Sequence, residues 1–328
     1  MSDAYAGAVR TLRPTRSRSI VTLTINPCVD ESASVDRAIP DRKLRCGAPR
    51  HEPGGGGINV ARAIRRLGGD ALAIYPAGGA TGDLLERLLA REGISQCRLP
   101  IAGWTRQNLN VLEESTGRQF RFVFPGPTLA EREWNACLAR IEDLDPFPRY
   151  VVGSGSLPPG VPSDFYARLS RLVSRRGGRL VLDASGAGAR LAIAGGVYLL
   201  KQSLGEFQTL TGLQDAEESG LLAESSRLIE ERRCEVVVLS LGSGGALLVS
   251  AQCRERWAAP TVPVRSTVGA GDAMLAGIVL HLDAKESISD AVRFGMAAAA
   301  ASVMNPGTEL CRREDADRFF AQALPVAV

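Results

Sequence analysis

The chain has 328 residues, 45% of them hydrophobic, and its 39 Lys and Arg against 36 Asp and Glu leave a net charge of +3. This is enough apolar side chain for a sizeable core, and it excludes a disordered chain, a polyacidic tail and a strong nucleic-acid-binding field. Seven scattered cysteines with no C-x-x-C pair, and two histidines that neighbour none of them, argue against a disulfide framework or a zinc centre and suit a reducing cytoplasm.

In chain order, residues 1–19 carry Arg10, Arg13, Arg16 and Arg18 among Ser, Thr and Ala, without the apolar stretch of a secretory signal. They read as a flexible basic tail. From residue 20 onward the pattern is that of one domain. Short β-branched runs at 19–25, 71–75, 150–153, 179–183, 197–200 and 236–241 alternate with helical periodicity at 58–67, 84–92, 163–175 and 223–231. That spacing predicts parallel strands joined by crossover helices, an α/β fold. Two regions, at about 28–52 and 104–124, break the rhythm and read as antiparallel strands inserted into the α/β body. A small sheet of this kind would form a lid over a site, and its apolar face could pair with a second subunit. The apolar stretches 273–282 and 296–304 are too short and interrupted for a membrane span.

Two glycine-rich segments carry the chemistry. Gly54, Gly55, Gly56 and Gly57 run into a helical pattern, and four consecutive glycines are entropically costly. Close approach of backbone to a ligand accounts for them better than a bare turn. Asn59 then offers a donor and an acceptor to adjacent sugar hydroxyls, or is simply a polar residue of the first turn. Further on, Val268, Gly269, Ala270, Gly271 and Asp272 lead into the small apolar helix pattern 273–280. A helix starting there aims its free amides at an anion. A carboxylate beside a bound phosphate repels it, so Asp272 reads either as a base that takes a proton from an attacking hydroxyl or as a helix cap. No Lys-Ser/Thr follows a G-x-x-x-x-G, so a Walker A loop is absent, and no convincing dinucleotide fingerprint is present.

Taken together, Gly54-Gly55-Gly56-Gly57-Ile58-Asn59-Val60-Ala61, Ser156-Leu157-Pro158-Pro159-Gly160 and Ser266-Thr267-Val268-Gly269-Ala270-Gly271-Asp272 resemble the signatures of the PfkB, or ribokinase-like, carbohydrate kinases. Lys43-Leu44-Arg45-Cys46, Trp104-Thr105-Arg106-Gln107-Asn108-Leu109 and Asn305-Pro306-Gly307-Thr308 resemble the bacterial minor 6-phosphofructokinase branch more than ribokinase or adenosine kinase. The resemblance implies an α/β/α sandwich with a mostly parallel sheet, a β-sheet lid and often a homodimer through the lids. It implies ATP-dependent phosphorylation of the C1 hydroxyl of fructose 6-phosphate, with ATP and Mg²⁺ and possible use of K⁺.

Residue by residue, the resemblance makes Asp272 the base, with Gly269, Ala270 and Gly271 beside the transferring phosphoryl group and Lys43 reaching toward it. Asp30, Gly54, Gly55, Gly56, Gly57, Asn59 and Ser156 match sugar-contacting positions. Arg45 and Arg106 match cationic positions near the acceptor's own phosphate, where a planar fork suits phosphate oxygens. Lys201, Ser203, Ser240, Gly242, Ser243, Gly244, Gly245, Thr267 and Val268 match the nucleotide loops. Glu206 matches the Mg²⁺ region, acting through water, while Ser266, Val268, Asn305 and Gly307 lie in segments matching a monovalent-cation site. Asp183, at the end of its own predicted strand, reads either as outer-sphere help to that Mg²⁺ or as a turn cap. One departure stands out: the family's Asn-x-x-Glu reads Ser203-Leu204-Gly205-Glu206, which keeps the carboxylate and loses the amide. Weaker metal positioning is expected. The alternatives are a tagatose 6-phosphate or fructose 1-phosphate kinase and, from another class, a sugar-phosphate sensor without catalysis.

Overall fold

The structure is a computed structural model that describes residues 18–213, 217–305, 309–323 and 325–326. Strand β1 (Ile20–Leu23) opens the main sheet, and β2 (Cys28–Val35) and β3 (Arg50–Gly54) leave it before α1 (Gly56–Arg66) returns the chain. Then follow β4 (Leu72–Ala77), α2 (Gly79–Arg91), β5 (Ser95–Pro100), and a second excursion through β6 (Arg106–Glu113) and β7 (Arg118–Phe122). The next units are α3 (Glu131–Glu142), β8 (Tyr150–Ser154), α4 (Phe165–Arg175), β9 (Arg179–Asp183), α5 (Gly186–Ala194), β10 (Val197–Ser203), α6 (Leu204–Thr211) and α7 (Glu218–Glu230). The chain closes with β11 (Cys234–Ser240), β12 (Ala246–Ser250), β13 (Arg254–Trp257), α8 (Ala270–Asp283), α9 (Ile288–Val303), α10 (Arg313–Gln322) and β14 (Pro325–Val326).

The main sheet runs β14-β13-β12-β11-β10-β9-β8-β1-β4-β5, parallel from β11 to β5 and antiparallel at the β12 to β14 edge. Its strands are buried on both faces, and alternation sorts them: Tyr150, Val152, Val181, Leu199, Val236 and Val238 face α1, α2, α8, α9 and α10. Their neighbours Val151, Leu180, Leu182, Leu200, Val237 and Leu239 face the layer of α3 to α7. This three-layer packing is what continuous Val/Leu runs in a parallel sheet require. The predicted elements are all present, with ends moved by a few residues.

The two excursions form a separate sheet of order β3-β2-β6-β7. The expectation of antiparallel strands holds for β2 with β3 and for β6 with β7, but β2 and β6 pair in parallel, from Cys28 with Arg106 to Val35 with Glu113. The reason is connectivity: each excursion leaves the same end of the main sheet after a parallel strand, so both outgoing strands point the same way. Residues 1–17, most of the expected tail, lie outside the described residues; at Arg18 the Nε donates to Asp70 Oδ2 at 2.7 Å.

Helices α8 and α9 approach closely at Gly277 and Gly295, where a Cβ on Gly277 would stand 2.8 Å from the Gly295 Cα. Even Ala there must push α8 outward, and overpacking of this kind costs about 1–3 kcal/mol. Gly277→Ala is therefore expected to lower the urea midpoint by that free energy divided by the slope of the transition, the slope itself staying unchanged.

Candidate active site

The carboxyl ends of the parallel strands and the polar face of the small sheet enclose a cleft of about 320 Å³. Its lining includes Asp30, Gly55, Asn59, Arg106, Thr267, Val268, Gly269 and Asp272, so two sequence segments more than 200 positions apart meet there. A larger groove of about 870 Å³ opens at the amino end of β9 to β11 and contains none of the predicted site residues.

Helix α8 supplies one wall. Its N-cap, Gly269, has φ +77°, a left-handed conformation natural to glycine, and no side chain caps the helix. The Ala270 amide turns to the Thr267 carbonyl at 3.4 Å, and the next amides, of Gly271 and Asp272, with the positive end of the helix dipole are left for a ligand. Asp272 is the third residue of α8 and makes no capping bond, so the cap reading of this carboxylate does not hold. Instead, Asn59 Nδ2 donates to Asp272 Oδ2 at 3.0 Å. Burial lifts the Asp272 carboxyl, with the charge of Asp183 adding to it, to about 7, while the Asn59 hydrogen bond and the charges of Lys201 and Arg62 pull the other way. A carboxyl poised near neutrality can take a proton from an alcohol.

Behind Asp272, Lys201 at the end of β10 donates to Asp183 Oδ2, at the end of β9, at 3.0 Å. Both side chains are largely buried. Burial disfavours the Lys201 ammonium, but Asp183 outweighs it, with Asp272 and Glu206 adding to the effect, and the lysine is held above its usual value. A Cβ on Gly271 would lie 2.7 Å from Lys201 Nζ, so the ammonium rests against the start of α8, and glycine is what lets it do so. A fixed positive charge beside uncapped amides is the arrangement an anion such as a phosphoryl group requires.

The glycine run has a different explanation from the expected one. A Cβ at Gly54 would meet Asp30 Oδ2 at 2.3 Å, at Gly55 Thr24 Cγ2 at 2.7 Å, at Gly56 Ser154 Oγ at 2.1 Å and at Gly57 the Leu23 carbonyl at 2.7 Å. All four positions are closed by the protein itself, and only Gly55, with φ +110°, lines the cleft. Asp30 packs over Gly54 and accepts from Asn108 Nδ2 at 2.9 Å. Arg106 is anchored by the carbonyls of Phe124 and Asn26 at 2.9 and 3.0 Å. Ser156 sits outside the lining and accepts from Asn26 Nδ2 at 3.1 Å.

Other predicted residues are placed less centrally. Lys43 and Arg45 are exposed on the connection between β2 and β3 and are absent from the cleft lining. In the Gly242–Gly244 turn, the Gly244 amide donates to Leu241 and the Gly245 amide to Gly242, so these two amides are committed to the turn and not free for phosphates. Ser240 Oγ donates to the Gln202 carbonyl at 3.4 Å. Ser203 caps α6, and its hydroxyl and amide both hold Glu206 Oε2, at 2.6 and 2.8 Å. Ser203 therefore replaces the lost amide by fixing the carboxylate locally. Among the described residues no group of three His, Cys, Asp or Glu could hold a metal. Glu206 and Asp183 lie outside the cleft lining, but the charge of Glu206 acts on Asp183 and that of Asp183 on Asp272. Such a pair fits a Mg²⁺ carried on nucleotide phosphates and water, not a cage of protein ligands. Ser266 donates its amide to the Val303 carbonyl at 3.2 Å, and Asn305 lies two residues beyond, so the segments expected to offer carbonyls to a monovalent cation are adjacent. Gly307 lies outside the described residues.

Sequence reasoning missed Cys28, Asn108, Asn110, Arg121 and Val123, all of which line the cleft. The signal for Asn108 and Asn110 was present: they stand two and four residues after Arg106 on one strand face. Arg121 comes to that face only because Asn110 pairs with it across β6 and β7.

The family model described as "pfkB family carbohydrate kinase" matches residues 23–315. The chain is 46% identical over 304 residues to the ATP-dependent 6-phosphofructokinase isozyme 2 of Mycobacterium tuberculosis, a match covering 93% of this chain and 89% of that one. It superposes on phosphofructokinase-2 from Escherichia coli in complex with fructose-6-phosphate with a TM-score of 0.87 at 37% identity, covering 93% of this chain and 99% of that one. The same enzyme in complex with potassium gives a TM-score of 0.89 at 39% identity, with the same coverage.

The Asp272 carboxyl binds its proton more tightly in the folded chain than its usual value of 3.8, so the native state carries an extra proton between that pH and about 7. Stability from this group is present at low pH and falls as pH rises through the window. Asp272→Asn removes the buried charge. It is expected to melt about 2–4 °C above the wild type at pH 8, with the gap narrowing as pH falls below about 7 and closing only near pH 3.8, as thermal scans across pH will read.

Proposed function

The chain belongs to the pfkB family of carbohydrate kinases, and from that premise we propose that it transfers the γ-phosphoryl group of ATP to the C1 hydroxyl of fructose 6-phosphate. The observation that carries the reading is Asp272, a carboxylate with a pKa near neutrality, seated at the uncapped start of α8 in a cleft that also presents Arg106 and Arg121. The similarity to a 6-phosphofructokinase of Mycobacterium tuberculosis and to the fructose-6-phosphate complex of the Escherichia coli enzyme supports the choice of acceptor.

In this reading the two arginines of the lid face take the acceptor's existing phosphate, and Asp30 and Asn59 hold its hydroxyls. Asp272 accepts the proton of the attacking hydroxyl as its oxygen bonds to the γ-phosphorus. The bond from that phosphorus to the β,γ-bridging oxygen breaks, ADP leaves, and Asp272 returns the proton to solvent. The α8 amides and the Lys201 ammonium stabilise the charge that develops on the transferring group. Mg²⁺, when bound near Glu206 and Asp183, supplies charge neutralisation on the nucleotide phosphates. The adjacency of Ser266, Val303 and Asn305 supports a monovalent-cation site, in keeping with the potassium complex of the Escherichia coli enzyme.

Initial rates of ADP formation with fructose 6-phosphate, tagatose 6-phosphate and fructose 1-phosphate test the acceptor. The first is expected to give the highest kcat/KM, and a higher value for either other sugar overturns the choice. Asp272→Asn is expected to bind both substrates and lose roughly 100- to 10,000-fold in kcat, the usual range for a positioned base; a turnover within twofold of wild type rejects the assignment.

The family resemblance also supports a homodimer through the small sheet. Register sorts that sheet into a polar face with Arg106, Asn108, Asn110 and Arg121 and an apolar face with Leu109, Val111, Phe120 and Phe122. Phe122 is 50% exposed, which is costly on a monomer surface. Phe122→Asp is expected to convert a dimeric elution volume to a monomeric one in size-exclusion chromatography with light scattering. A cytoplasmic location is the reading that the free cysteines support; among the described residues no helix is long and apolar enough to cross a membrane.

A further inference from the structure

Helix α1 carries three arginines, of which Arg65 and Arg66 are exposed while the Arg62 side chain is 1% exposed. A guanidinium inside a protein is tolerated only when its donors are used. Here Nε and Nη2 grip the two oxygens of Glu92 at 2.8 and 2.7 Å. Nη1 donates to the Pro53 carbonyl at 3.0 Å and to Asn59 Oδ1 at 3.3 Å. The Glu52 carboxylate stands 4.0 Å away. One side chain thus ties together the end of α2, the residue that precedes the glycine run, and the amide that touches Asp272.

The last of these contacts has a directional consequence. An asparagine amide turned by half a revolution exchanges its donor and its acceptor. Arg62 can only donate, so the amide is satisfied with Oδ1 toward Arg62, and that orientation turns Nδ2 to the Asp272 carboxylate. An ionised carboxylate can only accept, so both neighbours select the same orientation. Without Arg62 a protonated Asp272 could turn the amide and donate to its oxygen, and Asn59 would then favour the proton-bearing form of the carboxyl instead of the free carboxylate.

We propose that Arg62 is a positioning residue that fixes the Asn59 amide, and through it the proton-accepting oxygen of Asp272 relative to the glycine run. The inference rests on the reading of Asp272 as the base. Beyond Asn59 and Arg62 of α1, the groups that face this carboxyl are Lys201 from β10, Asp183 from β9 and Cys28 from β2. Loss of the Arg62 charge and of the oriented donor leaves Asp183 less opposed. The proton is then held more tightly, and the acid limb of the rate profile moves to higher pH.

A double-mutant cycle decides the point. Arg62→Met is expected to lower kcat for fructose 6-phosphate about 100-fold, as small misplacements of reacting groups do. Arg62→Lys, which restores charge and one donor, should recover part of that loss. In an Asn59→Ala background, where no amide remains to be oriented, the further effect of Arg62→Met should shrink to under about threefold. Equal fold-losses in both backgrounds, with an unmoved acid limb, overturn the proposal and leave Arg62 a packing residue. Should Arg62→Met fail to fold, Glu92→Gln runs through the same cycle: a loss that vanishes with Asn59→Ala supports the proposal, and an additive one overturns it. A wild-type protein that forms no ADP with any phosphosugar overturns the parent reading and this inference with it, whereas an active wild type with additive losses overturns only this inference.

Discussion

The hydrogen bond from Asn59 to Asp272 joins the first helix of the chain to the eighth, and the cleft exists because those two helix starts are held face to face. Each is aimed by the sheet. α1 enters from the β2–β3 excursion over a run of glycines packed against Leu23, Thr24, Asp30 and Ser154, and α8 enters from a left-handed glycine that leaves its amides uncapped. Any shift of α8 against α9 moves the carboxylate, so the close contact of Gly277 with Gly295 is part of the same arrangement.

Around this contact the charges are set in opposition. Asp272 is lifted by burial and by Asp183, and it is restrained by Lys201, Arg62 and the amide of Asn59. None of these is an exposed pair screened by solvent. A carboxylate alone in such a place would be neutral, and a carboxylate fully compensated would be too weak a base. The partial compensation leaves it near neutral pH. Ser203 and Glu206 belong to the same economy of local contacts: the shorter side chain, used as a helix cap, holds the glutamate where the family has an amide.

The small sheet is two-sided in a literal sense. Its polar face closes the cleft with arginine and asparagine, and its other face is apolar and exposed. Period-two alternation on β6 and β7 therefore gives one ribbon a polar face toward the cleft and an apolar face, bearing Phe120 and Phe122, toward solvent.

The sequence by itself determined the α/β alternation, the two excursions, the glycine entry to α1 and the approach to α8, because each is written in adjacent residues and their spacing. Period and glycine content are local properties, and the glycine segments also pointed to Asn59 and Asp272, whereas Asp30 and Arg106 came from the resemblance of their segments to the family. Tertiary structure decided the rest. The parallel pairing of β2 with β6 follows from which end of the sheet both excursions leave, and Arg121 reaches the cleft through its pairing with Asn110. The glycines at 54 to 57 proved to be closed by the protein, the turn at 242 to 245 used two of its own amides, and Arg62, unremarkable beside two other arginines, proved to be buried. No local pattern reports such facts, since they depend on which atoms from distant segments arrive at the same place.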